Sequence, residues 1–398
     1  MRALTAVPVG SGPAALDLLD ALAAALNGSG PALLPHPTGS QPLPAPATLD
    51  ADEDDAADPT VAVVATSGST GRRRGVLLPA SALLASASAG HDRLGGPGRW
   101  LLALPVHHVA GLLVLIRSLL TRTRPVALDL SDGFDPEDFA AAAATLAGPR
   151  RYTALVPTQL VRLLDAGTEV RRELARFDGV LIGGAALPDV VRERAANDGV
   201  RVVATYGMTE TCGGCLYDGR PLDGVRVRRD DDGRIHLGGP TIARGYLGER
   251  LPDASAFSTD SHGERWFRTD DAGRWDDHTP PRLQILGRLD DAVITGGVTV
   301  SPAGVEAALL TLPALAEVVV VGIPDDRWGQ RLVAAVVLRP GAELPPEAEL
   351  RRVVTERIES AAVPRQVMVL AELPSRGPGK PDRVAIARLA EGSSGSGG

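Results

Sequence analysis

Thr66-Ser67-Gly68-Ser69-Thr70-Gly71-Arg72-Arg73-Arg74-Gly75-Val76 is the stretch that decides the fold, because it joins a strand to a loop suited to anions. The apolar run at 61–65 before it predicts a buried strand. In the loop, glycine lets backbone N–H groups turn toward an anion, hydroxyls add donors, and arginine supplies fixed positive charge. No Lys-Ser or Lys-Thr follows the second glycine, so this is not the loop of the common NTPases. We interpret it as a phosphate-binding loop, with a polar surface turn as the alternative.

The length and charge of the chain limit what it can be. At 398 residues it is long enough for two or three domains with a large core. The 41 basic and 49 acidic side chains give a net charge of −8, and aromatic residues make up only 3%. This composition lacks the basic footprint and the stacking aromatic rings of nucleic-acid-binding proteins. We therefore expect no nucleic-acid partner.

The cellular location is predicted from features that the sequence lacks. The N-terminus has no charged start followed by an apolar core and a cleavage site, so we expect no signal peptide. No apolar run reaches the roughly eighteen residues of a membrane span. Two cysteines are too few for a disulfide framework and indicate a cytoplasmic protein. Cys212 and Cys215 have C-x-x-C spacing, but no other Cys or His is clustered there, so we interpret them as small loop residues.

Strand and helix patterns alternate between about residues 60 and 205. The predicted strands lie at 61–65, 100–104, 152–156, 179–182 and 201–205, and the predicted helices at 79–92, 111–120, 135–147, 157–165 and 188–198. This alternation predicts an α/β fold with a largely parallel sheet covered by helices. Ligands bind such sheets where strands end and helices begin. The phosphate loop, Gly183-Gly184-Ala185 and Tyr206-Gly207 each follow a predicted strand, so we expect them to meet at one edge.

The remaining sequence divides into smaller units. Residues 13–26 predict a helix, whereas 28–59 are rich in Pro, Ala, Gly and Asp and predict irregular chain. After residue 213, short strands and turns predict a small β subdomain. A further α/β unit begins near residue 287, with helices at 302–312 and 346–360 and strands at 316–322, 332–338 and 366–370. We place one domain at 1–289, a second at 290–390, and a flexible tail at 391–398.

Tyr206-Gly207-Met208-Thr209-Glu210-Thr211 brings an aromatic ring, a glycine, a hydroxyl and a carboxylate together directly after a predicted strand. An aromatic ring can stack on adenine, and a carboxylate near phosphates is suited to hold Mg²⁺. The alternative is a helix N-terminus with Thr209 as its cap.

The motifs resemble, in order, those of the adenylate-forming enzymes, the acyl-CoA synthetase and ligase superfamily. They are TSGSTGRRRGV at 66–76, LPVHHVAG at 104–111, YGMTET at 206–211, WFRTDDAG at 266–273, GRLDD at 287–291 and LPSRGPGKPDR at 373–383. The resemblance covers about residues 60 to 388. It implies a large N-terminal adenylate-forming (AMP-binding) domain of mostly parallel sheets with helices and a small β subdomain. It also implies a smaller, mobile C-terminal α+β domain.

The resemblance implies a nucleotide site and a metal ligand. Tyr206 would stack on adenine, Thr209 would bind the α-phosphate, and Asp271 would accept both ribose hydroxyls. Glu210 would ligate Mg²⁺. The full set implied to bind the nucleotide is Thr66, Ser67, Gly68, Ser69, Thr70, Gly71, Gly183, Gly184, Ala185, Tyr206, Gly207, Met208, Thr209, Asp271 and Arg288.

The resemblance also implies catalytic residues and a hinge. Lys380, retained in a chain that uses arginine almost everywhere else, would bridge the substrate carboxylate and the α-phosphate. His108 would lie by the acyl carboxylate and the thiol channel, although a lone histidine is more often a core residue. Arg74 would serve in the phosphate loop, where relatives usually carry lysine. Asp290 would be the pivot of the C-terminal domain, because one site must perform two reactions in sequence.

Two further positions depart from the family pattern. Asp270 replaces the usual glycine, which could strain the turn or add charge beside the nucleotide. Ala361-Ala362 stands where many relatives have a Tyr-Lys pair, so the contacts to CoA on that surface are not implied.

The short N-terminal part and the segment Leu155–Leu160 are similar to the o-succinylbenzoate–CoA ligases of menaquinone synthesis. That similarity implies ATP- and Mg²⁺-dependent activation of a small-molecule carboxylate, with o-succinylbenzoate as the leading substrate, to an acyl-adenylate, then transfer to CoA to give the acyl-CoA thioester, AMP and pyrophosphate. Three alternatives stay open: a ligase for another acid, a stand-alone adenylation enzyme that loads a carrier protein, and a non-catalytic nucleotide-binding module. A homodimer is the oligomeric state we consider, although no sequence pattern indicates it.

Overall fold

A computed structural model describes residues 1–67, 73–249, 256–377 and 380–394. For Ser67, Arg376, Gly377, Lys380, Ser393 and Ser394 it describes the backbone alone. Within these ranges no helix is both long enough and apolar enough to cross a membrane.

The secondary structure follows the predicted alternation closely. The helices are α1 Leu18–Leu26, α2 Ala80–Arg93, α3 Val109–Leu120, α4 Pro136–Ala144, α5 Pro157–Asp165, α6 Thr168–Ala175, α7 Asp189–Asn197, α8 Pro302–Leu309, α9 Glu347–Arg357 and α10 Arg383–Ser394. The strands are β1 Arg2–Val9, β2 Ala32–Pro37, β3 Thr48–Leu49, β4 Thr60–Ser67, β5 Arg73–Pro79, β6 Arg99–Leu102, β7 Val126–Ala127, β8 Arg151–Leu155, β9 Gly179–Ile182, β10 Val202–Met208, β11 Gly213–Tyr217, β12 Arg220–Pro221, β13 Arg226–Arg229, β14 Arg234–Gly238, β15 Gly245–Tyr246, β16 Phe257–Thr259, β17 Arg265–Trp275, β18 Leu283–Arg288, β19 Val293–Thr295, β20 Val298–Val300, β21 Leu315–Asp325, β22 Gly329–Leu338, β23 Gln366–Val369, β24 Ser375–Gly377 and β25 Lys380–Pro381.

The central sheet has the strand order β12-β11-β10-β9-β8-β6-β7, and β10, β9, β8, β6 and β7 run parallel. Strand side chains alternate between its two faces, so each face requires its own apolar cover. Trp100 and Leu102 pack in a core that includes residues of α2 and α3. Leu101 packs in a second core with residues of α4 to α7. The sheet is therefore covered by helices on both faces, as the sequence predicts.

The phosphate-loop strand lies in a different sheet from the one expected. β4 belongs to a sheet with the order β15-β5-β4-β2-β1-β3, where it pairs antiparallel with β5 and parallel with β2. The prediction that a single parallel sheet carries all three loops is therefore wrong. Apolar run length alone gives no information on which strands are neighbours, because it reports burial and not pairing.

The irregular chain predicted for 28–59 is a second difference. It contains β2, whose residues at 32–35 are buried, and the short strand β3. Pro35 and Pro37 lie in β2 itself, and prolines are depleted in most strands. Helix α6 was also absent from the predicted elements, because its mostly charged sequence has only Val170 and Leu174 as buried apolar residues.

The C-terminal third forms two further sheets. β13, β14, β17 and β16 build an antiparallel sheet that β18 extends, as the predicted small β subdomain requires. Beyond it, β20, β19, β22, β21 and β23 form a sheet with separate apolar clusters on its two faces. One cluster includes residues of α8 and α9, and the other includes residues of α10. Both clusters consist of residues from 293 onward.

A buried polar network joins α2 and α3 to the amino-terminal side of the central sheet. The Trp100 indole N–H donates to Nε2 of His91 at 3.2 Å, which fixes that nitrogen as an acceptor and the imidazole as neutral. Arg117 lies 4.8 Å from the Trp100 ring and donates to the Tyr217 hydroxyl at 3.0 Å. Burial, and then the charge of Arg117, lowers the pKa of His91 from 6.5 to about 4, although Asp92 opposes the shift.

This network predicts a pH-dependent part of the stability. The unfolded chain binds a proton at His91 below about pH 6.5, whereas the folded chain resists it until about pH 4. The stabilisation is therefore complete above pH 6.5 and lost as the pH falls toward 4, by about 3 kcal/mol in total. Urea unfolding at pH 7 and at pH 4.5 should show a smaller pH effect in His91→Gln than in the unchanged chain. An equal pH effect in both proteins would show that His91 does not titrate in this way.

Candidate active site

Two neighbouring strands of the central sheet end at the same place. β9 and β10 run parallel in the register Ala204↔Ile182, so Gly183-Gly184-Ala185 and the end of β10 lie at one edge of the sheet. Gly184 and Ala185 are exposed there. The structure therefore brings together two of the three loops that the sequence predicts at the ligand edge.

Tyr206 and Asp271 are joined by a short hydrogen bond. The Tyr206 hydroxyl donates to Oδ2 of Asp271 at 2.6 Å, across from β10 of the central sheet to β17 of the small β sheet. Burial, and then Asp271, raises the pKa of Tyr206 well above its usual value, so the phenol remains a donor. Burial also raises the pKa of Asp271, against the opposing effects of Tyr206 and Arg288. The proposed adenine-stacking ring and the proposed ribose acceptor thus form one unit.

Gly207 is required by the close approach of two strands. A Cβ at this position would lie 2.1 Å from the carbonyl oxygen of Gly213 on β11. The β10–β11 register shifts between Tyr206 and Gly207, which places a bulge directly before the motif's polar residues. The glycine therefore serves a backbone contact inside the protein, and the bulge redirects the chain.

A short 3₁₀ turn at Thr209–Thr211 follows β10 and buries its polar side chains. Met208 is the N-cap residue, and the Thr211 hydroxyl accepts from its N–H at 2.9 Å. Thr209 is the first residue of the turn, so the alternative in which Thr209 is the cap is wrong.

Glu210 is held from the opposite side by a residue that the sequence analysis missed. The Tyr246 hydroxyl donates to Oε1 of Glu210 at 2.9 Å, and the Ala243 N–H donates to the Glu210 carbonyl at 2.9 Å. Tyr246 lies on β15, beside the strand that leaves the phosphate loop. The sequence offers one signal for Tyr246: tyrosine is rare in this chain, which has only four.

The ends of the phosphate loop are described, whereas its centre is not. Gly68, Ser69, Thr70 and Gly71 lie outside the described residues, and Ser67 is described by its backbone alone. Thr66 pairs with Arg74 across β4 and β5, and its hydroxyl donates to the Arg74 carbonyl at 3.4 Å. The Arg74 guanidinium lies 4.0 Å from the centre of the Tyr246 ring and 3.9 Å from Glu249.

His108 begins helix α3, where its backbone is extended and its carbonyl accepts from the Leu112 N–H. Its ring lies 4.3 Å from that of His107. Gly111 allows this turn, because a Cβ there would lie 2.3 Å from the carbonyl oxygen of Pro105. Burial, and then the nearby Arg73 and His36, lowers the pKa of His107, which keeps that ring neutral near pH 7.

Arg288 and Asp290 form a bidentate ion pair at the start of the C-terminal unit. Nε and one terminal nitrogen of Arg288 donate to the two Asp290 oxygens at 2.8 and 2.7 Å. Asp270, the residue that replaces the family's glycine, lies 3.5 Å from Arg288 and 3.1 Å from Arg234. The backbone φ of Asp270 is not in the left-handed region, so the replacement of glycine by Asp270 causes no backbone strain there. Asp270 therefore adds charge beside Arg288 and links it to β14.

Lys380 lies on β25, whose backbone pairs with Gly377 on β24. It is the only lysine in the sequence. Cys212 and Cys215 form no disulfide and are fully buried, and burial raises the pKa of both thiols. Cys212 follows the 3₁₀ turn, whereas Cys215 lies on β11, so its interpretation as a loop residue is wrong.

The chemistry at Glu210 fits a magnesium ion bound with a nucleotide. Mg²⁺ is usually held by one or two carboxylates together with phosphate oxygens and water. Glu210 is a buried carboxylate that uses Oε1 toward Tyr246, beside the strand of the phosphate loop. Within the described ranges no cluster of three or more His, Cys, Asp or Glu side chains forms a self-sufficient metal cage. This set of donors suits an ion that arrives with phosphates.

Comparisons with known proteins identify the family of the chain. The family described as AMP-binding enzyme matches residues 20–247, and the AMP-binding enzyme C-terminal domain matches residues 304–380. A probable 2-succinylbenzoate–CoA ligase of Mycobacterium tuberculosis (strain ATCC 25618 / H37Rv) is 47% identical over 388 residues, which is 98% of each chain.

Solved structures of o-succinylbenzoate CoA synthetase (MenE) from Bacillus subtilis share the fold. The complex with the acyl-adenylate intermediate OSB-AMP has a TM-score of 0.68 and 27% identity, over 87% of this chain and 72% of that one. The complex with ATP and magnesium ion has a TM-score of 0.68 and 26% identity, with the same coverage. The family model covers more than half of the sequence, and the mycobacterial relative matches along nearly its whole length, so the chain belongs to the AMP-binding enzyme family.

Proposed function

We propose that this chain is an AMP-forming acid–thiol ligase that converts 2-succinylbenzoate (o-succinylbenzoate) into its CoA thioester, with ATP as the energy source. One observation carries the substrate assignment: the 47% identity to a probable 2-succinylbenzoate–CoA ligase extends over 98% of both chains. The Bacillus subtilis o-succinylbenzoate CoA synthetase, solved with its acyl-adenylate intermediate, supports the two-step route.

The geometry supports binding of the nucleotide at the end of β10. Tyr206 offers a ring for adenine and Asp271 a buried carboxylate for the ribose hydroxyls, and the two are already fixed to each other. Thr209 lies one residue before Glu210 in a buried turn, on the side of β10 where phosphates would follow the ribose. Gly183, Gly184 and Ala185 would line the same edge.

The phosphate groups would lie between this turn and the loop at 66–76. Arg74 contributes a fixed positive charge beside the ring of Tyr246, which is hydrogen-bonded to Glu210. When bound at Glu210, Mg²⁺ would neutralise the charge that develops on the departing pyrophosphate. The loop's glycines and hydroxyls would donate to the phosphate oxygens.

In the first half-reaction, a carboxylate oxygen of the substrate attacks the α-phosphorus of ATP. A bond forms between that oxygen and phosphorus, the bond to the bridging oxygen breaks, and pyrophosphate leaves. Lys380 would place its ammonium group between the two reacting anions, where repulsion is otherwise greatest. The product is a carbonyl with a good leaving group, which the free carboxylate lacks.

In the second half-reaction, the thiolate of CoA attacks that carbonyl and AMP leaves. The same pocket must now admit a thiol, so we propose that residues 290–390 rotate about Asp290 and withdraw Lys380. The two family matches, 20–247 and 304–380, lie on either side of this hinge. His108, at the start of α3, would lie by the acyl group on the path of the thiol.

We also propose a cellular location and an assembly state. The two cysteines are free, which supports a reducing cytoplasm. A homodimer stays a proposal that light scattering of the purified chain would test.

The test of the proposed function is formation of a CoA thioester by the purified chain with ATP and Mg²⁺. Mass spectrometry should detect 2-succinylbenzoyl-CoA, and benzoate or a medium-chain fatty acid should give at most a trace. A thioester from another acid would keep the chemistry and overturn the substrate. Acyl transfer to a carrier-protein thiol instead of CoA would indicate a stand-alone adenylation enzyme, and binding of ATP without turnover would indicate a binding module.

Asp271→Asn should weaken ATP binding by about tenfold or more, because hydrogen bonds to a charged acceptor are worth about 1.5–3 kcal/mol each. Titration calorimetry with ATP would measure the loss. Asp276→Asn is the matched control, since Asp276 accepts from the backbone of Arg282 and His278 just beyond the same strand. Equal ATP affinity in the two variants would refute the ribose role.

Lys380→Ala should separate the half-reactions. Pyrophosphate release from ATP and 2-succinylbenzoate should fall by about 10²–10³-fold, the usual cost of removing a group that stabilises transition-state charge. Thioester formation from supplied 2-succinylbenzoyl-adenylate and CoA should remain within about threefold of the unchanged chain. If both rates fall together, Lys380 does not act on the first step alone.

A further inference from the structure

Tyr246 contacts Glu210, Phe257 and Arg74 at the point where two sheets meet. Its side chain is 3% exposed, and its hydroxyl donates to Oε1 of Glu210 at 2.9 Å. The ring of Phe257 packs edge-on against it at 5.1 Å, and the Arg74 guanidinium lies over it at 4.0 Å. The ring has little freedom to move, so the direction of its hydroxyl is set by packing.

The backbone around Tyr246 is fixed to the same two neighbours. β15 pairs antiparallel with β5 in the register Tyr246↔Val76, on the strand that leaves the phosphate loop. Three residues earlier, the Ala243 N–H donates to the carbonyl of Glu210. The segment 243–246 therefore holds the backbone and the side chain of Glu210 at once, and ties both to the phosphate-loop strand.

The hydrogen bond matters because Glu210 is a buried acid. Glu210 is only 8% exposed. Within the described residues, the Tyr246 hydroxyl is the sole hydrogen-bond donor to the Glu210 carboxylate. A buried carboxylate without a donor is costly and free to turn toward any donor or cation.

We propose that Tyr246 is a positioning residue for the reaction: its hydroxyl holds one oxygen of Glu210 so that the carboxylate is directed to the metal that accompanies ATP. This inference rests on the proposed function, in which Glu210 binds Mg²⁺. Tyr246 itself touches neither nucleotide nor substrate in this account. Its ring also gives Arg74 a surface to stack on, which couples the order of the loop strand to the orientation of Glu210.

Tyr246→Phe tests the proposal because it removes the hydroxyl and keeps the ring. Binding of Mn²⁺ is measured by electron paramagnetic resonance in the presence of α,β-methylene-ATP, so the readout does not depend on turnover. The variant should bind Mn²⁺ about tenfold more weakly, the usual lower limit for loss of a partner that orients a metal ligand. In pyrophosphate release, the Mg²⁺ concentration for half-maximal rate should rise, and saturating Mg²⁺ should recover part of the lost rate.

Tyr152→Phe is the matched control. Tyr152 is also buried, and its hydroxyl donates to the carbonyls of Leu94 and Gly96, at the opposite edge of the central sheet from the site. Its loss should lower the melting temperature without changing Mn²⁺ affinity. A purely structural role for Tyr246 would make the two variants behave alike.

The outcomes separate this inference from the function it rests on. If the unchanged chain binds Mn²⁺ with the nucleotide and Tyr246→Phe binds it within twofold as tightly, the positioning role is overturned and the proposed function stands. If the unchanged chain binds no Mn²⁺ with the nucleotide, the metal role of Glu210 fails, and the role of Tyr246 fails with it.

Discussion

Two hydrogen bonds from tyrosine hydroxyls to buried carboxylates hold the candidate site together. Tyr206 donates to Asp271, which joins the central sheet to the small β sheet, and Tyr246 donates to Glu210, which joins the same strand end to the phosphate-loop sheet. Burying a carboxylate is unfavourable unless it is hydrogen-bonded, so each acid needs its phenol. The three sheets thus meet around two acids, the carboxylates that we propose for the ribose hydroxyls and for the metal ion.

The same constraint accounts for features that look unrelated in the sequence. Gly207 is needed because β10 and β11 approach closely just where the chain turns to present Thr209 and Glu210. Asp270 forms an ion pair with Arg288, and the same guanidinium also pairs with Asp290 at the proposed hinge. The carboxylates at 270, 271 and 290 therefore surround one arginine, which connects the proposed ribose acceptor to the start of the C-terminal unit.

Much of the fold could be predicted from the sequence, because burial periodicity and strand-ending glycines are local signals. The strand at 179–182 and the helix at 157–165 have the predicted bounds. Strand pairing was not predictable in the same way: β4 lies in a separate sheet, since its apolar run reports burial and not its neighbour. Tyr246 was missed for a related reason, because its partner Glu210 is 36 residues away and only the folded chain brings them together.

The proposed mechanism requires that an acyl-adenylate forms in this site before CoA is used. Exchange of radiolabelled pyrophosphate into ATP, with 2-succinylbenzoate present and CoA absent, tests it most directly, because only reversal of adenylate formation returns the label to ATP. We predict exchange that requires both 2-succinylbenzoate and Mg²⁺ and that needs no CoA. Absence of exchange until CoA is added, in a preparation that still makes the thioester, would contradict the two-step account.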